Sequence, residues 1–238
     1  MSMIMNSLTK ERSLTHDRKS YITNDSSGLS KIHNQKINIS IWQRQLDSTI
    51  IDIGKSILDR NNDIQLSEVI EPQNVLKMLS KEFGSSEKTL PLFNDISNLV
   101  DLFCNVFDEK CAWVRLDSID KPMCPRFHTD YVKCRLVTTY VGPATQWLPH
   151  NLIDRSKLGH GNQGLPDDRS GLFGKSTDIE QLDVGHVAFL KGESWKGNNG
   201  SGLVHRSPHE DKGYKRLYMT IDFLETYINI YRTFSKDN

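Results

Sequence analysis

The chain has no apolar run approaching the roughly 20 residues that span a bilayer, and its start, MSMIMNSLTKERS, lacks the apolar core and cleavage pattern of a secretory signal. A cytoplasmic protein without a membrane partner is the expectation. Nor is there an excess of either charge: Lys plus Arg and Asp plus Glu both number 30. The sequence therefore advertises no nucleic-acid or anionic-membrane surface, although nucleic acid as a substrate stays open. The four cysteines, Cys104, Cys111, Cys124 and Cys134, include no CxxC pair and crowd into one third of the chain. In a reducing compartment that argues against a disulfide framework, and Cys104 and Cys111 read as small buried apolar residues. No internal repeat is visible.

What is present divides the chain in two. Residues 1–35 are rich in Ser, Asn, Lys and Asp and read as a flexible N-terminal leader. Residues 36–238 read as a single domain, with helical support over 45–108 and a β core over 110–226. The alternation of Ile37, Ile39 and Ile41 predicts a strand, a candidate edge of the main sheet. Apolar residues at spacings of three and four predict helices over Thr49 to Arg60, Pro72 to Phe83 and, most clearly, Leu90 to Phe107. In the last, Phe93, Ile96, Val100, Phe103 and Phe107 make one stripe that must be buried against a sheet.

After Lys110 the texture changes. Ala112, Val114 and Leu116 alternate with polar residues, Arg135 to Val141 follows as a second strand, and Leu182 to Leu190 and Lys215 to Leu224 as two more. Residues 142–178 are rich in Gly, Pro, Asp and Asn and read as a mobile loop or lid. Gly192 to Gly202, with four glycines, reads as a hairpin-type connection. Helices first and strands after argue an α+β fold with a sandwich or barrel-like β core.

The stretch that organises the chain is CPRFHTDYVKCRLVTTY, Cys124 to Tyr140. Residues at i and i+2 on an extended chain point the same way, so His128 and Asp130 share a face. With eight histidines in the chain, His-x-Asp arises by chance about 0.7 times, and the spacing decides nothing alone. A third ligand would complete a two-histidine, one-carboxylate set, which leaves positions open on a non-haem iron. His205, in GLVHRSP after a glycine-rich turn, is the candidate, and His209 is its rival. Arg216, on the last strand with Tyr218 and Thr220 on its face, suits a dicarboxylate co-substrate, because its planar fork accepts a carboxylate bidentately.

The order HTD, RLVTTYVGP, LDVGHVAFLKGE, LVHRSP and KRLYMTIDFL resembles the iron(II)- and 2-oxoglutarate-dependent dioxygenases, in particular the prolyl-hydroxylase-like branch. More closely, CPRFHTDYVKCRLVTTYVGPATQWLP with KGESW and LVHRSP resembles a bacterial family, domain of unknown function 1826, over roughly Ile39 to Leu224. The dioxygenase resemblance implies a double-stranded β-helix (jelly-roll or cupin-like) core with supporting helices mostly from the N-terminal half. It implies Fe(II) on His128, Asp130 and His205, and 2-oxoglutarate bound through Arg216 with Tyr140 or Thr138. It further implies oxidation of a small-molecule or peptide substrate. The family's common Arg-x-Ser pattern departs here, with Tyr218 in the serine's co-substrate-binding place.

A rival reading takes Cys124, His128 and Cys134 as soft ligands for zinc. It makes the chain a structural or metal-handling protein; a further alternative is a non-catalytic zinc- or iron-binding protein of metal homeostasis that uses the same fold and the same ligands as the oxygenase reading. Trp147 and Trp195 are candidates for a substrate pocket or for the core, Arg206 and Ser207 for hydrogen bonds that orient His205. His186 reads as a satisfied strand histidine, and His150 and His160 as parts of the loop.

Overall fold

The computed structural model describes residues 17–60, 64–208 and 215–234. In chain order, strand β1 (Lys19–Thr23) and a 3-10 helix (Ser26–His33) precede β2 (Ile37–Trp42) and helix α1 (Ser48–Arg60). Strand β3 (Gln65–Ile70) leads into α2 (Val75–Phe83) and α3 (Leu90–Phe107), followed by β4 (Ala112–Ile119), β5 (Cys134–Val141) and β6 (Gln146–Leu148). Then come β7 (Glu180–Gln181), β8 (Val187–Lys191), β9 (Val204–Arg206), β10 (Arg216–Asp222) and α4 (Leu224–Phe234).

Seven strands form one sheet in the order β1-β2-β8-β5-β10-β4-β3, and three form a second, β7-β6-β9. All pairings are antiparallel except that of β1 with β2. The two-residue period of the strands sorts the core into layers. On β5, Leu136 and Tyr140 face α1–α3, where they join Phe93, Ile96, Val100 and Phe103 of the predicted helical stripe. Val137, on the other face, packs between the sheets with Ile39, Ile41, Trp147, Ala188 and Leu203. A third cluster, Phe127, Leu148, Leu172 and Val204, covers the outer face of the small sheet.

Helix α3 keeps its predicted limits. Pro91 stands in its first turn, where the missing N–H costs nothing. It ends at Asp108, left-handed at φ 56°, whose N–H bonds the Cys104 carbonyl. Gly54 lets α1 lie close on the sheet, since a Cβ there would meet Val141 Cγ2 at 2.9 Å.

Several expectations change. Strand β2 is interior, flanked by β1 and β8, because residues 19–33 are not a leader: β1 adds an edge and Leu29 and Ile32 are wholly buried. The short polar runs around those apolar residues hide their contribution. Residues 1–16 of the predicted leader lie outside the described residues. The segment after β8 is not a hairpin, for β8 and β9 belong to different sheets. Residues 142–178, expected as a lid, contribute β6, and Ile153, Leu158, Leu172 and Phe173 seat the segment on the outer face of the small sheet. Strand β3 and helix α4 carry no clear sequence signal and were not expected.

Candidate metal centre

The two sheets bring His128, Asp130 and His205 together, with one ligand atom from each lying within 4.8 Å of the others. His205 sits on β9 between Val204, which faces outward, and Arg206. His128 lies in an extended segment that pairs with β9 through a reciprocal bridge: His128 N–H to His205 O and His205 N–H to His128 O, both 3.0 Å. The bridge sets the rings side by side, their centroids 4.7 Å apart.

Each ring is aimed by its own backbone. Nδ1 of His128 lies 2.9 Å from the Arg126 carbonyl, and Nδ1 of His205 lies 3.1 Å from the Leu203 carbonyl. A carbonyl can only accept, so Nδ1 carries a proton in both rings; Nε2 donates to Asp130 while the ring is protonated and offers its lone pair to the cluster once that proton is lost. Both Nε2 atoms stand 3.5 Å from Asp130 oxygens, His128 from Oδ1 and His205 from Oδ2.

Asp130 is held from two sides. Its carbonyl accepts the Glu193 N–H at 2.9 Å, in a turn where Gly192 is required because a Cβ would meet Val132 O at 2.1 Å. Its Oδ2 accepts from Arg135 Nη1, and Arg135 Nε reaches both oxygens of the fully buried Asp222 at 2.9 and 3.0 Å. Arg115 Nη2 donates to Asp222 as well, at 3.0 Å. Burial by itself would raise the Asp130 pKa. The Arg135 charge, the His205 charge and the hydrogen bonds of both imidazoles outweigh it and hold the carboxyl far below the usual range. For His128, burial pushes down, but the bonds to Asp130 and the Arg126 carbonyl leave its pKa raised.

The long segment contributes from outside. Asp167 accepts from the Phe127 N–H at 2.9 Å, Arg126 Nε at 2.9 Å and Arg206 Nη1 at 3.1 Å, fixing the chain on either side of the histidine bridge. Arg135, Asp222, Arg115 and Asp167 were all missed by the sequence reading. Only the even spacing of Asp222 from Arg216 on β10 hinted that Asp222 faces inward.

The remaining candidates fall into two groups. Tyr218 and Thr220 line a cavity of about 120 Å³ beside the cluster, together with Arg115, Asp117, Cys124 and Thr145. Arg216 is buried immediately behind that wall. It donates to the Thr139 and Thr145 hydroxyls at 2.9 and 3.0 Å, and its guanidinium lies 4.0 Å from the Tyr218 ring centre. Tyr140 and Thr138 do not belong to the site. They occupy the helix-facing side of β5, where the Tyr140 hydroxyl donates to Asp95 of α3 at 2.8 Å. The inward residue is their neighbour Thr139.

The zinc set is not assembled either, since Cys134 is buried in the helix-side core while Cys124 is at the cavity. Trp147 packs between the sheets and Trp195 against Phe107 and His33. Arg206 and Ser207 do flank the site: Arg206 bonds Gln146 and Asp167, and the Ser207 N–H bonds the Cys124 carbonyl at 2.9 Å. The Asp183 N–H donates to His186 Nδ1 at 3.1 Å, just before β8. His209 lies outside the described residues.

Comparison with solved structures sets this architecture in a class. The crystal structure of dioxygenase for auxin oxidation (DAO) in rice aligns over 87% of this chain and 83% of its own, with a TM-score of 0.52 at 7% identity. At that identity the likeness shows the fold alone: a double-stranded β-helix, with helices on the outer face of its larger sheet. Two more distant structures are the Arabidopsis thaliana dioxygenase for auxin oxidation 1 with 2-oxoglutarate (TM-score 0.47, 9% identity, 87% and 92% covered) and a Pseudomonas putida prolyl-4-hydroxylase (0.42, 10%, 83% and 97%). The family is defined by sequence. Residues 23–222 match the model described as "Protein of unknown function (DUF1826)", and the chain belongs to that family. No curated protein matches it.

Proposed function

We propose that this protein is an iron(II)- and 2-oxoglutarate-dependent oxygenase that oxidises a small-molecule or peptide substrate. One observation carries the reading: two imidazoles with Nδ1 committed to carbonyls, and so with Nε2 available, converge with a carboxylate at the mouth of a double-stranded β-helix. The donor set fits iron(II). Three protein donors on one side leave the opposite positions for ligands, whereas a closed structural zinc site takes four protein donors. His128, Asp130 and His205 would hold the metal, which supplies activation of dioxygen and decarboxylation of the oxoacid when bound.

The protein's own part is positional. The β-bridge keeps the two imidazoles in register, the carbonyls select their tautomer, and Arg135 holds Asp130 ionised and oriented. The cavity between the cluster, β4 and β10 receives the co-substrate, with Tyr218 in its wall and Arg216 behind it. The small sheet and its apolar outer layer keep bulk water from that side.

Anaerobic titration of metal-free protein with iron(II), then 2-oxoglutarate, tests the reading through the visible iron-to-oxoglutarate charge-transfer band. The band is expected in the native protein and absent in His205→Ala. A folded native protein that gives no band, or a His205→Ala protein that gives a full one, refutes it. The same titration with zinc(II), if it alone bound tightly, would return the protein to metal handling.

A further inference from the structure

The cavity beside the three donors measures about 120 Å³, below the roughly 300–1,000 Å³ of sites that enclose a small-molecule ligand. It has room for a co-substrate and little else, so a primary substrate must be recognised largely outside it. A second cavity, of about 710 Å³, lies against the outer layer of the small sheet and shares Arg206 with the first. Its floor is apolar, built from Pro125, Pro166, Phe173 and Ile179, with the Phe173 ring seated edge-on against Phe127 at 5.8 Å. Its rim is cationic: Arg126, Arg169, Lys175 and Arg206 stand with two acids, Asp167 and Asp168.

The rim is preformed, and its charge is not cancelled. Asp167, 7% exposed, is committed to Arg126, Arg206 and the Phe127 N–H, and the Ser170 hydroxyl donates to its carbonyl at 3.0 Å. Asp178 fixes the other side, its Oδ2 accepting the Gly174 and Lys175 N–H groups at 3.2 and 2.8 Å. Arg169 and Lys175 are exposed and enter no ion pair among the described residues. Two arginines thus share one carboxylate, and two further cations stand beside a single further acid.

This layout defines the ligand. A small free anion is held where several donors converge on one point, and the point between Arg126 and Arg206 is already filled by Asp167. The remaining cations border an apolar floor, which suits a chain whose acidic side chains alternate with apolar ones. We propose that this cavity docks an acidic peptide segment of the substrate, and that Arg206, common to both cavities, marks the crossing by which an adjoining residue reaches the metal. The substrate role rests on the oxygenase reading above; the docking of an acidic peptide does not.

The test begins with an array of hexapeptides composed of Asp, Glu, Leu, Phe and Pro, beside a matched array with Asn and Gln for the acids. Both are probed with the full chain, and the best acidic binder is titrated by calorimetry into metal-free protein. Binding is expected on the acidic array alone and weakens with added NaCl, as exposed charges are screened. The double variant Arg169→Glu/Lys175→Glu should bind the peptide at least about tenfold more weakly with an unchanged circular dichroism spectrum, and the milder Arg169→Gln about threefold more weakly. Four results overturn the docking site: no acidic binder, equal binding of the amide peptides, undiminished affinity in both variants, or displacement of the peptide by equimolar inorganic phosphate or oligothymidylate. The link to the metal is read separately, on protein loaded with iron(II) and 2-oxoglutarate. Peptide should shift the visible band in the native protein and, at the same concentration, leave it unmoved in the double variant. A native band that saturating peptide does not shift overturns the substrate role. A native protein without a band refutes the oxygenase reading, and the docking site then stands or falls by the calorimetry.

Discussion

At the residue scale the site depends on Arg135 as much as on the three donors. Its guanidinium joins Asp130 to the fully buried Asp222, so the carboxylate that faces the imidazoles is tied to the floor of the barrel. Partners that orient a metal ligand are typically worth 10- to 100-fold in metal affinity. Arg135→Gln is therefore expected to weaken iron(II) binding at least about tenfold. It also leaves Asp222 with Arg115 alone, so its fold is verified by circular dichroism before the metal titration. Undiminished affinity in the folded variant would show that Asp130 is positioned by its backbone only. His-x-Asp and His205 were legible because two-residue parity and a glycine-rich turn are local signals. Thr138 and Tyr140 came from the family resemblance, and the parity rule could not correct them. Nothing local says which face of β5 is inner, and the answer lies in the contact of Tyr140 with Asp95, 45 positions away.

At the element scale, α3 explains why the sheet can carry a polar site on one face. Its stripe supplies Phe93, Ile96, Val100 and Phe103 to the opposite face, where Phe103 meets Phe189 of β8 and Phe223 edge-on, at 6.0 and 5.1 Å. Truncating a buried phenylalanine removes its transfer free energy and leaves a cavity. Phe103→Ala should cost about 3–5 kcal/mol in urea unfolding. Because the lost contacts are on the side remote from His205, iron(II) affinity of the folded fraction should stay native. A cost under about 1 kcal/mol would mean that the aromatic cluster closes over the gap. This helix was read correctly because eighteen residues give a periodic pattern room to show. The short strands β6, β7 and β9 have two or three residues each, too few for any period to be visible. Their positions follow from pairing across the barrel, which a linear pattern does not encode.

At the scale of the whole molecule, the described part of the predicted leader is a wall of the fold. Leu29 and Ile32 are wholly buried in the core shared with α3 and β8. Arg18 reaches the glycine-rich segment after β8, donating to Asn198 Oδ1 at 2.7 Å and to the Gly197 carbonyl at 2.8 Å. Leu29→Ala is expected to lose about 2–5 kcal/mol of stability, a value a loose tail could not give. A second tie is titratable. Lys191, the last residue of β8, donates from Nζ to the Asn34 carbonyl at 2.9 Å and lies 4.7 Å from the Trp195 ring centre. Burial lowers its pKa to about 8, against the pull of Cys134. Between that value and its ordinary 10.5 the unfolded chain holds a proton that the folded chain has lost, so this group's contribution to stability rises with pH across the window. Below pH 8 both states are charged and the folded state carries the full cost of the buried ammonium. Lys191→Met removes the titration while keeping the apolar stem. The difference in Tm, native minus variant, should be at its lowest near pH 7 and climb in favour of the native protein from about pH 8 to 10. A difference that stays flat over that range would mean the ammonium is solvated as on a surface, and that the N-terminal segment is held to β8 by its apolar contacts alone.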